Sequence, residues 1–128
     1  MDIKKVLIVE DDSGWQNAFK YGIDGKFDLY FADSITNAEI LFREISDVDC
    51  IIMDACVPGD EPNTMDLVKE IRKTYKGPII ANSSVEEYVE ELLGAGCDYG
   101  AHKRDVIKKI FEILSLNEQE EVWKNKKT

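Results

Sequence analysis

Acidic side chains follow two apolar runs of the chain. The run at residues 6–9 ends in Glu10, Asp11 and Asp12, and a second run ends in Asp54. Short, wholly apolar runs are typical of parallel strands buried on both faces, and the carboxyl ends of such strands meet at one edge of the sheet. Two like charges about 4 Å apart cost about 4 kcal/mol at an effective dielectric near 20. We therefore expect a cation among these four carboxylates, and oxygen ligands favour Mg²⁺ over Zn²⁺.

A hydroxyl and an ammonium group follow two further short segments that can form strands. Ser83 comes after the run at residues 79–81, and Lys103 comes after residues 98–101. Together with the acids, these groups suit phosphoryl transfer, in which a carboxylate attacks phosphorus and positive charge and a hydroxyl stabilise the phosphoryl oxygens. Asp54 is the best nucleophile candidate because it stands alone at the end of its run. The alternatives are that the acids only cap a helix and a loop, and that Lys103 is an ordinary surface charge.

Strand and helix patterns alternate along the chain. Strands are predicted at residues 6–9, 27–31, 50–53, 79–81 and 98–101. Apolar residues at helical spacing predict helices after residue 12 and over residues 35–45, 64–75, 85–93 and 106–114. Gly22 and Gly25 are expected to stop the first helix, Ser34 to cap the second, and Ser84 to form a capping box with Glu87. This alternation predicts an α/β protein with a doubly wound parallel sheet and helices on both faces.

Composition narrows the classes of function. The 128 residues include 26 acidic and 16 basic ones, for a net charge of −10. This length suits one domain, and the acidic balance argues against direct binding of nucleic acid. Because there is no apolar run of about 20 residues and no basic leader, we expect a cytoplasmic protein without membrane contact. Cys50, Cys56 and Cys97 lack metal-ligand spacing and are expected to be reduced thiols.

Several ordered motifs resemble the receiver domain of two-component response regulators. They are VLIVEDD at 6–12, IIMD at 51–54 with Pro58 four residues later, PIIANS at 78–83, and AGCD at 95–98 before Lys103. The resemblance covers roughly residues 4–115. It implies a flavodoxin-like fold with five helices and a five-stranded sheet in the order 2-1-3-4-5. The receiver would span residues 1–116, and residues 117–128 would form a polar tail or extend the last helix.

The resemblance also implies a role for individual residues. Asp54 would accept a phosphoryl group from a histidine kinase or a histidine phosphotransfer protein. Lys103 would pair with the phosphate, and Ser83 would bind the phosphoryl group and drive a switch. The implied Mg²⁺ ligands are Asp11 directly, Asp54, Glu10 through water, and the backbone carbonyl of Cys56.

The implied protein is a stand-alone receiver similar to the chemotaxis regulator. It would be a monomer or weak dimer that catalyses only its own phosphorylation and dephosphorylation. It would signal to an unknown protein through helix 4, strand 5 and helix 5. One alternative is a degenerate receiver that serves as a constitutive docking platform. Another is a magnesium-dependent phosphatase, which is less favoured because Cys56 stands where the general acid would be.

Two departures from the family pattern affect strand 5 and the residue after the lysine. Gly100 stands where the family has a rotating aromatic residue, and Tyr99, one place earlier, is expected to face the other side. Arg104 replaces the proline that usually follows the lysine, so the usual cis peptide is not expected there. These departures motivate the docking-platform alternative.

A third departure lies in the loop after Asp54. The segment from Pro58 to Thr64 is two residues longer than usual, and Thr64 replaces a common glycine. We therefore expect a distinctive entry to the third helix, with Asp60 and Glu61 near the metal.

Overall fold

The computed structural model describes residues 3–115, so the predicted tail at 117–128 lies outside the described residues. The strands are β1 (Lys5–Val9), β2 (Asp28–Ala32), β3 (Cys50–Asp54), β4 (Ile79–Asn82) and β5 (Tyr99–Ala101). The helices are α1 (Ser13–Ile23), α2 (Ile35–Glu44), α3 (Met65–Arg72) and α4 (Glu86–Ala95). A 3-10 turn at Lys103–Asp105 leads into α5, which is described over residues 106–115. Within residues 3–115, no helix is long and apolar enough to cross a membrane.

The five strands form one parallel sheet in the order β2-β1-β3-β4-β5. This confirms the predicted doubly wound, flavodoxin-like arrangement with five helices. Val9 pairs with Met53, and Asp54 pairs with Asn82. The ends of the three central strands therefore lie side by side, which brings the polar residues that follow them to one edge.

The core consists of two layers, one on each face of the sheet. Leu7, Ile51 and Ile79 pack with helices α2, α3 and α4 on one face. The alternate strand residues, such as Ile8 and Ile52, pack with α1 and α5 on the other face. Because both faces are covered, β3 and β4 contain only buried residues, which explains their apolar runs.

Two predicted features of helix ends differ from the structure. Gly22 lies inside α1, where a Cβ atom would come within 2.5 Å of the Ile107 side chain, so its small size permits close packing against α5. The helix ends at Ile23, and its C-cap residue Asp24 has a φ of 46°. The predicted capping box at Ser84 is also wrong, because the Oγ atom of Ser83 accepts the N–H of Val85 at 3.1 Å and α4 starts only after that residue. Ser34 caps α2 as predicted.

Arg72, the last residue of α3, ties together the segments that flank β4. Its Nε donates to the carbonyl of Gly96 at 2.7 Å, and its Nη1 donates to the carbonyl of Gly77, also at 2.7 Å. Its Nη2 forms an ion pair with Asp98, which also accepts the N–H of Ile79 at 2.9 Å. One side chain therefore satisfies acceptors from loops that are distant in sequence.

Replacement of Arg72 by leucine is expected to lower the free energy of unfolding by about 2–4 kcal/mol, because partly buried acceptors lose their donors. Urea unfolding of the purified variant measures this change. Arg43→Leu is the control, since the contacts of Arg43 are exposed, an ion pair and a hydrogen bond to Glu39 on α2, and such pairs contribute little. Equal losses in the two variants would contradict a structural role for the Arg72 contacts.

Candidate functional site

Three carboxylates meet at the carboxyl edge of the sheet. Glu10 and Asp11 follow β1, and Asp54 ends β3. One oxygen atom from each of the three lies within 4.8 Å of the others, and Glu10 and Asp54 are buried. A compact set of oxygen donors fits a hard dication such as Mg²⁺. Asp12 is an exception to the predicted set of four, because its Oδ1 accepts the N–H of Trp15 at 2.9 Å and caps α1.

Lys103 reaches this carboxylate cluster from the turn after β5. Its Nζ lies 2.7 Å from Oε1 of Glu10 and 3.0 Å from Oδ2 of Asp54. The same Nζ lies 5.7 Å from the centre of the Trp15 ring, within range of a cation–π contact. The predicted placement of Lys103 beside the acids is confirmed, whereas its bond with Glu10 was not anticipated.

Ser83 and Cys56 line the same cleft, which has a volume of about 570 Å³. The Ser83 hydroxyl accepts a hydrogen bond from Val85 and still has its proton to donate. The backbone N–H of Cys56 donates to Oδ1 of Asp54 at 3.3 Å. Two roles stay predictions. They are the binding of a phosphoryl group by Ser83 and the binding of metal by the Cys56 carbonyl. Burial raises the pKa of the Cys56 thiol, which does not favour a reactive thiolate.

Two polar side chains that the sequence analysis did not single out as contacts support the Asp54 end of β3. The hydroxyl of Thr64 donates to the carbonyl of Asp54 at 2.7 Å and contacts that of Ala55 at 3.1 Å. The Asn63 amide pairs with the N–H and the carbonyl of Val57, at 2.9 and 2.8 Å. Thr64 is buried, so its hydroxyl fixes the loop from within. These contacts hold the entry to α3 in place, and a helix entry that differs from that of the family stays a prediction.

The long loop also approaches the acids. The N–H of Gly59 donates to Oδ2 of Asp11 at 3.3 Å. Asp60 lines the cleft as expected, whereas Glu61 is not among the lining residues. The expectation for this loop is therefore met by Asp60 alone.

The two faces of β5 differ as predicted. Tyr99 faces α5, because Nζ of Lys109 lies 5.1 Å from its ring centre. Gly100 faces α4, where a Cβ atom would lie only 2.4 Å from Cγ1 of Val89. Val89 therefore fills the space beside Gly100. Within the described part of the chain the one cis peptide is Val57–Pro58, so the peptide before Arg104 is trans, as expected.

Burial and charge perturb the titration of this cluster. Burial, together with the hydrogen bond and repulsion from Asp54, raises the pKa of Glu10 to about 7, although Lys103 acts in the opposite direction. Burial alone would lower the pKa of Lys103, but hydrogen bonds and attraction to Glu10 and Asp54 raise it overall. In the absence of metal, the ammonium is therefore retained while Glu10 takes up a proton as the pH falls below neutrality.

The Glu10 pKa predicts an unusual dependence of stability on pH. The folded chain binds more protons than the unfolded chain between the ordinary glutamate pKa of 4.5 and about 7, so this group's contribution to stability falls as the pH rises through that window. Relative to Glu10→Gln, wild type is expected to lose up to about 2.4 kcal/mol from pH 5 to pH 7.5. Urea unfolding with a chelator present measures the difference. Identical pH profiles of wild type and variant would contradict the assignment, and the exposed Glu39→Gln is the control.

No protein-family model matches the sequence. Among solved structures, a CheY-like receiver domain protein from Methanospirillum hungatei is 22% identical, with a TM-score of 0.74 over 93% of this chain and 99% of that one. A CheY-like receiver domain from Methylobacillus flagellatus is 23% identical, with a TM-score of 0.73 over 89% and 98%. The chemotaxis protein CheY4 from Vibrio cholerae is 18% identical, with a TM-score of 0.73 over 88% and 99%.

These likenesses define the class of fold. Each neighbour is matched over nearly its whole length, so the shared unit is the complete receiver-domain fold and not a fragment of it. The chain therefore has the fold of CheY-like response regulator receiver domains. At these identities the similarity concerns the fold, and the function has to be argued from the residues of the site.

Proposed function

We propose that this chain is a response regulator receiver that accepts a phosphoryl group on Asp54 from a histidine kinase or a histidine phosphotransfer protein. One observation carries the proposal. Glu10, Asp11 and Asp54 each place an oxygen within 4.8 Å of the others, and Lys103 contacts two of them. The receiver fold brings this set to the edge of the sheet where α/β proteins bind ligands.

Each group of the site has a part in the proposed transfer. A carboxylate oxygen of Asp54 forms a bond to phosphorus as the phosphorus–nitrogen bond of the donor histidine breaks, and the released imidazole nitrogen takes up a proton. The Lys103 ammonium offsets negative charge on the phosphoryl oxygens, and the Ser83 hydroxyl donates a hydrogen bond to one of them. Asp11, Asp54, the Cys56 carbonyl and, through water, Glu10 would hold Mg²⁺, which would supply further positive charge beside the phosphoryl oxygens.

The proposed output is a change in protein contacts at α4, β5 and α5. Ser83 adjoins both of the first two elements, since its Oγ accepts the N–H of Val85 just before α4 and its own N–H lies 3.4 Å from the carbonyl of Ala101 in β5. A hydroxyl that turns toward a phosphoryl group weakens its contact with Val85. In this proposal the chain catalyses only its own phosphorylation and dephosphorylation.

The surroundings of Gly100 favour a second candidate, a docking platform without phospho-switching. The family's rotating aromatic residue is absent, and Val89 of α4 occupies the space beside the glycine. Such a platform keeps the acidic cleft, but binding of a phosphoryl group in the cleft does not change the structure of β5.

Amide chemical shifts of the ¹⁵N-labelled chain separate the two candidates. The spectra are compared with Mg²⁺ alone and with Mg²⁺ plus beryllofluoride, which mimics a phosphoryl group on aspartate. A switching receiver is expected to show saturable shifts around Asp54 and Ser83 that continue into β5 and α4. Saturable shifts confined to the metal ligands would favour the platform, and no shift on adding beryllofluoride would contradict the receiver proposal.

A further inference from the structure

Asn82 is a fully buried amide for which the described residues provide no partner. It ends β4 with none of its surface exposed. Neither its Nδ2 nor its Oδ1 has a hydrogen-bond partner within residues 3–115. Buried side-chain amides are normally hydrogen-bonded, because an unpaired one loses its bonds to water without compensation. An apolar residue would avoid this loss, so the presence of an amide here needs an explanation.

The side chain of Asn82 lies on the same face of the sheet as the phosphoacceptor candidate. Ile80 packs in the layer with α1 and α5, and Ala81 packs in the opposite layer, so alternation directs Asn82 toward α1 and α5. Asp54 lies on that face too, since Ile52 two residues earlier belongs to the same layer. Asn82 is the register partner of Asp54.

The other neighbour of Asn82 is the strand that delivers the lysine. Asn82 pairs with Ala101 of β5, two residues before Lys103. The side chain of Lys103 extends past β4, and its ammonium donates a hydrogen bond to Asp54 at the end of β3. The amide is thus flanked by the strand that carries the acceptor carboxylate and the strand that carries its cationic partner.

The contacts of Lys103 suggest when the amide is used. An ammonium group has three N–H donors, and Lys103 uses two of them to bond Glu10 and Asp54. Both of these carboxylates belong to the cluster that fits a dication, so metal and lysine share the same carboxylates. Once a dication engages the carboxylates and the ammonium pairs with a phosphoryl oxygen, the remaining N–H groups of Lys103 need another acceptor, and the carbonyl oxygen of a neighbouring amide is a neutral one.

We propose that Asn82 is a positioning residue whose side-chain carbonyl accepts a hydrogen bond from Lys103 when the site is loaded, and so keeps the ammonium beside Asp54. This inference rests on the proposed receiver function. It assigns to β4 a role in phosphoryl transfer that is separate from that of Ser83, which is the next residue along the chain.

Asn82→Val tests the proposal, with Ile80→Val as the matched control on the same strand and face. In the metal-free chain, Asn82→Val is expected to be at least as stable to urea as wild type, because it removes an unpaired amide. Its rate of phosphorylation by acetyl phosphate with Mg²⁺ is expected to fall at least fivefold. Ile80→Val is expected to keep the wild-type rate. If the valine variant does not fold, Asn82→Leu replaces it in the same measurements, because leucine has a branched shape similar to that of asparagine.

Two further measurements distinguish positioning from a general packing effect. In a Lys103→Met background, Asn82→Val is expected to cause no additional loss of beryllofluoride affinity, because the amide acts through the lysine. The side-chain amide signals of Asn82 are expected to shift when beryllofluoride binds wild type, and to stay unchanged in Lys103→Met. A wild-type rate in both Asn82 variants, or losses that multiply in the double variant, would overturn the inference. Failure of the wild type to be phosphorylated would instead overturn the receiver proposal itself.

Discussion

The Asp54→Asn variant is expected to take up no phosphoryl group from acetyl phosphate and Mg²⁺, whereas the wild type takes up one per chain. An amide oxygen carries no negative charge and cannot replace a carboxylate as the nucleophile. The initial rate is therefore expected to fall at least about a hundredfold. Intact-mass spectrometry at short times, before the acyl phosphate hydrolyses, measures both the stoichiometry and the rate.

Asp12→Asn and Asp60→Asn are the matched controls for this prediction. Both residues line the same cleft, but neither belongs to the cluster of three carboxylates. Each variant removes one negative charge near the site and is expected to be labelled to the same stoichiometry as wild type. Labelling of Asp54→Asn to the wild-type extent would show that another residue is the acceptor.

The second large effect is expected from Lys103→Met. This change keeps a long apolar side chain but leaves two buried carboxylates without their cation, since Lys103 is bonded to both Glu10 and Asp54. Removal of one partner from a buried ion pair costs about 3–5 kcal/mol. In the presence of a chelator, urea unfolding is expected to show a loss of about 3 kcal/mol, reduced from the upper value because Glu10 can take up a proton instead.

The loss is expected to be recovered when Mg²⁺ is added, because a dication offsets the same two carboxylates. Lys103→Met is also expected to bind Mg²⁺ more tightly than wild type in calorimetry, since no ammonium competes for the oxygens. The control is Lys73→Met, which breaks an exposed ion pair with Glu70 and should change neither quantity. Destabilisation of Lys103→Met that Mg²⁺ does not relieve would contradict the competition between lysine and metal.

The architecture was predictable because buried parallel strands leave a clear trace in the sequence. The apolar runs before Glu10 and Asp54 are long enough to indicate central strands and short enough to exclude central helices. Since the edge of a parallel sheet gathers strand ends, the proximity of Glu10, Asp11, Asp54 and Lys103 followed from topology without any knowledge of distances. The strand order itself came from the resemblance and is confirmed by the structure.

The contacts that local pattern could not predict depend on the path of loops and on individual rotamers. The bond between Lys103 and Glu10 joins residues that are 93 positions apart. The Thr64 hydroxyl reaches the Asp54 carbonyl only because the long loop folds back on β3. Ser84 was chosen as a cap on sequence spacing alone, but the N-cap residue of α4 is Val85, which makes no side-chain cap bond, and Ser83 accepts the N–H of Val85. The sequence pattern could not predict that the Asn82 amide lacks a partner among the described residues, because a single asparagine after an apolar run resembles an ordinary strand end.

Mapping of the modified residue tests the central claim most directly. The chain is incubated with acetyl phosphate and Mg²⁺, the acyl phosphate is reduced with borohydride, and the resulting homoserine is located by peptide mass spectrometry. The account predicts homoserine at residue 54 alone, and none when Mg²⁺ is replaced by a chelator. Homoserine at another acidic residue, or the absence of any reduced residue in the Mg²⁺-treated chain, would contradict it.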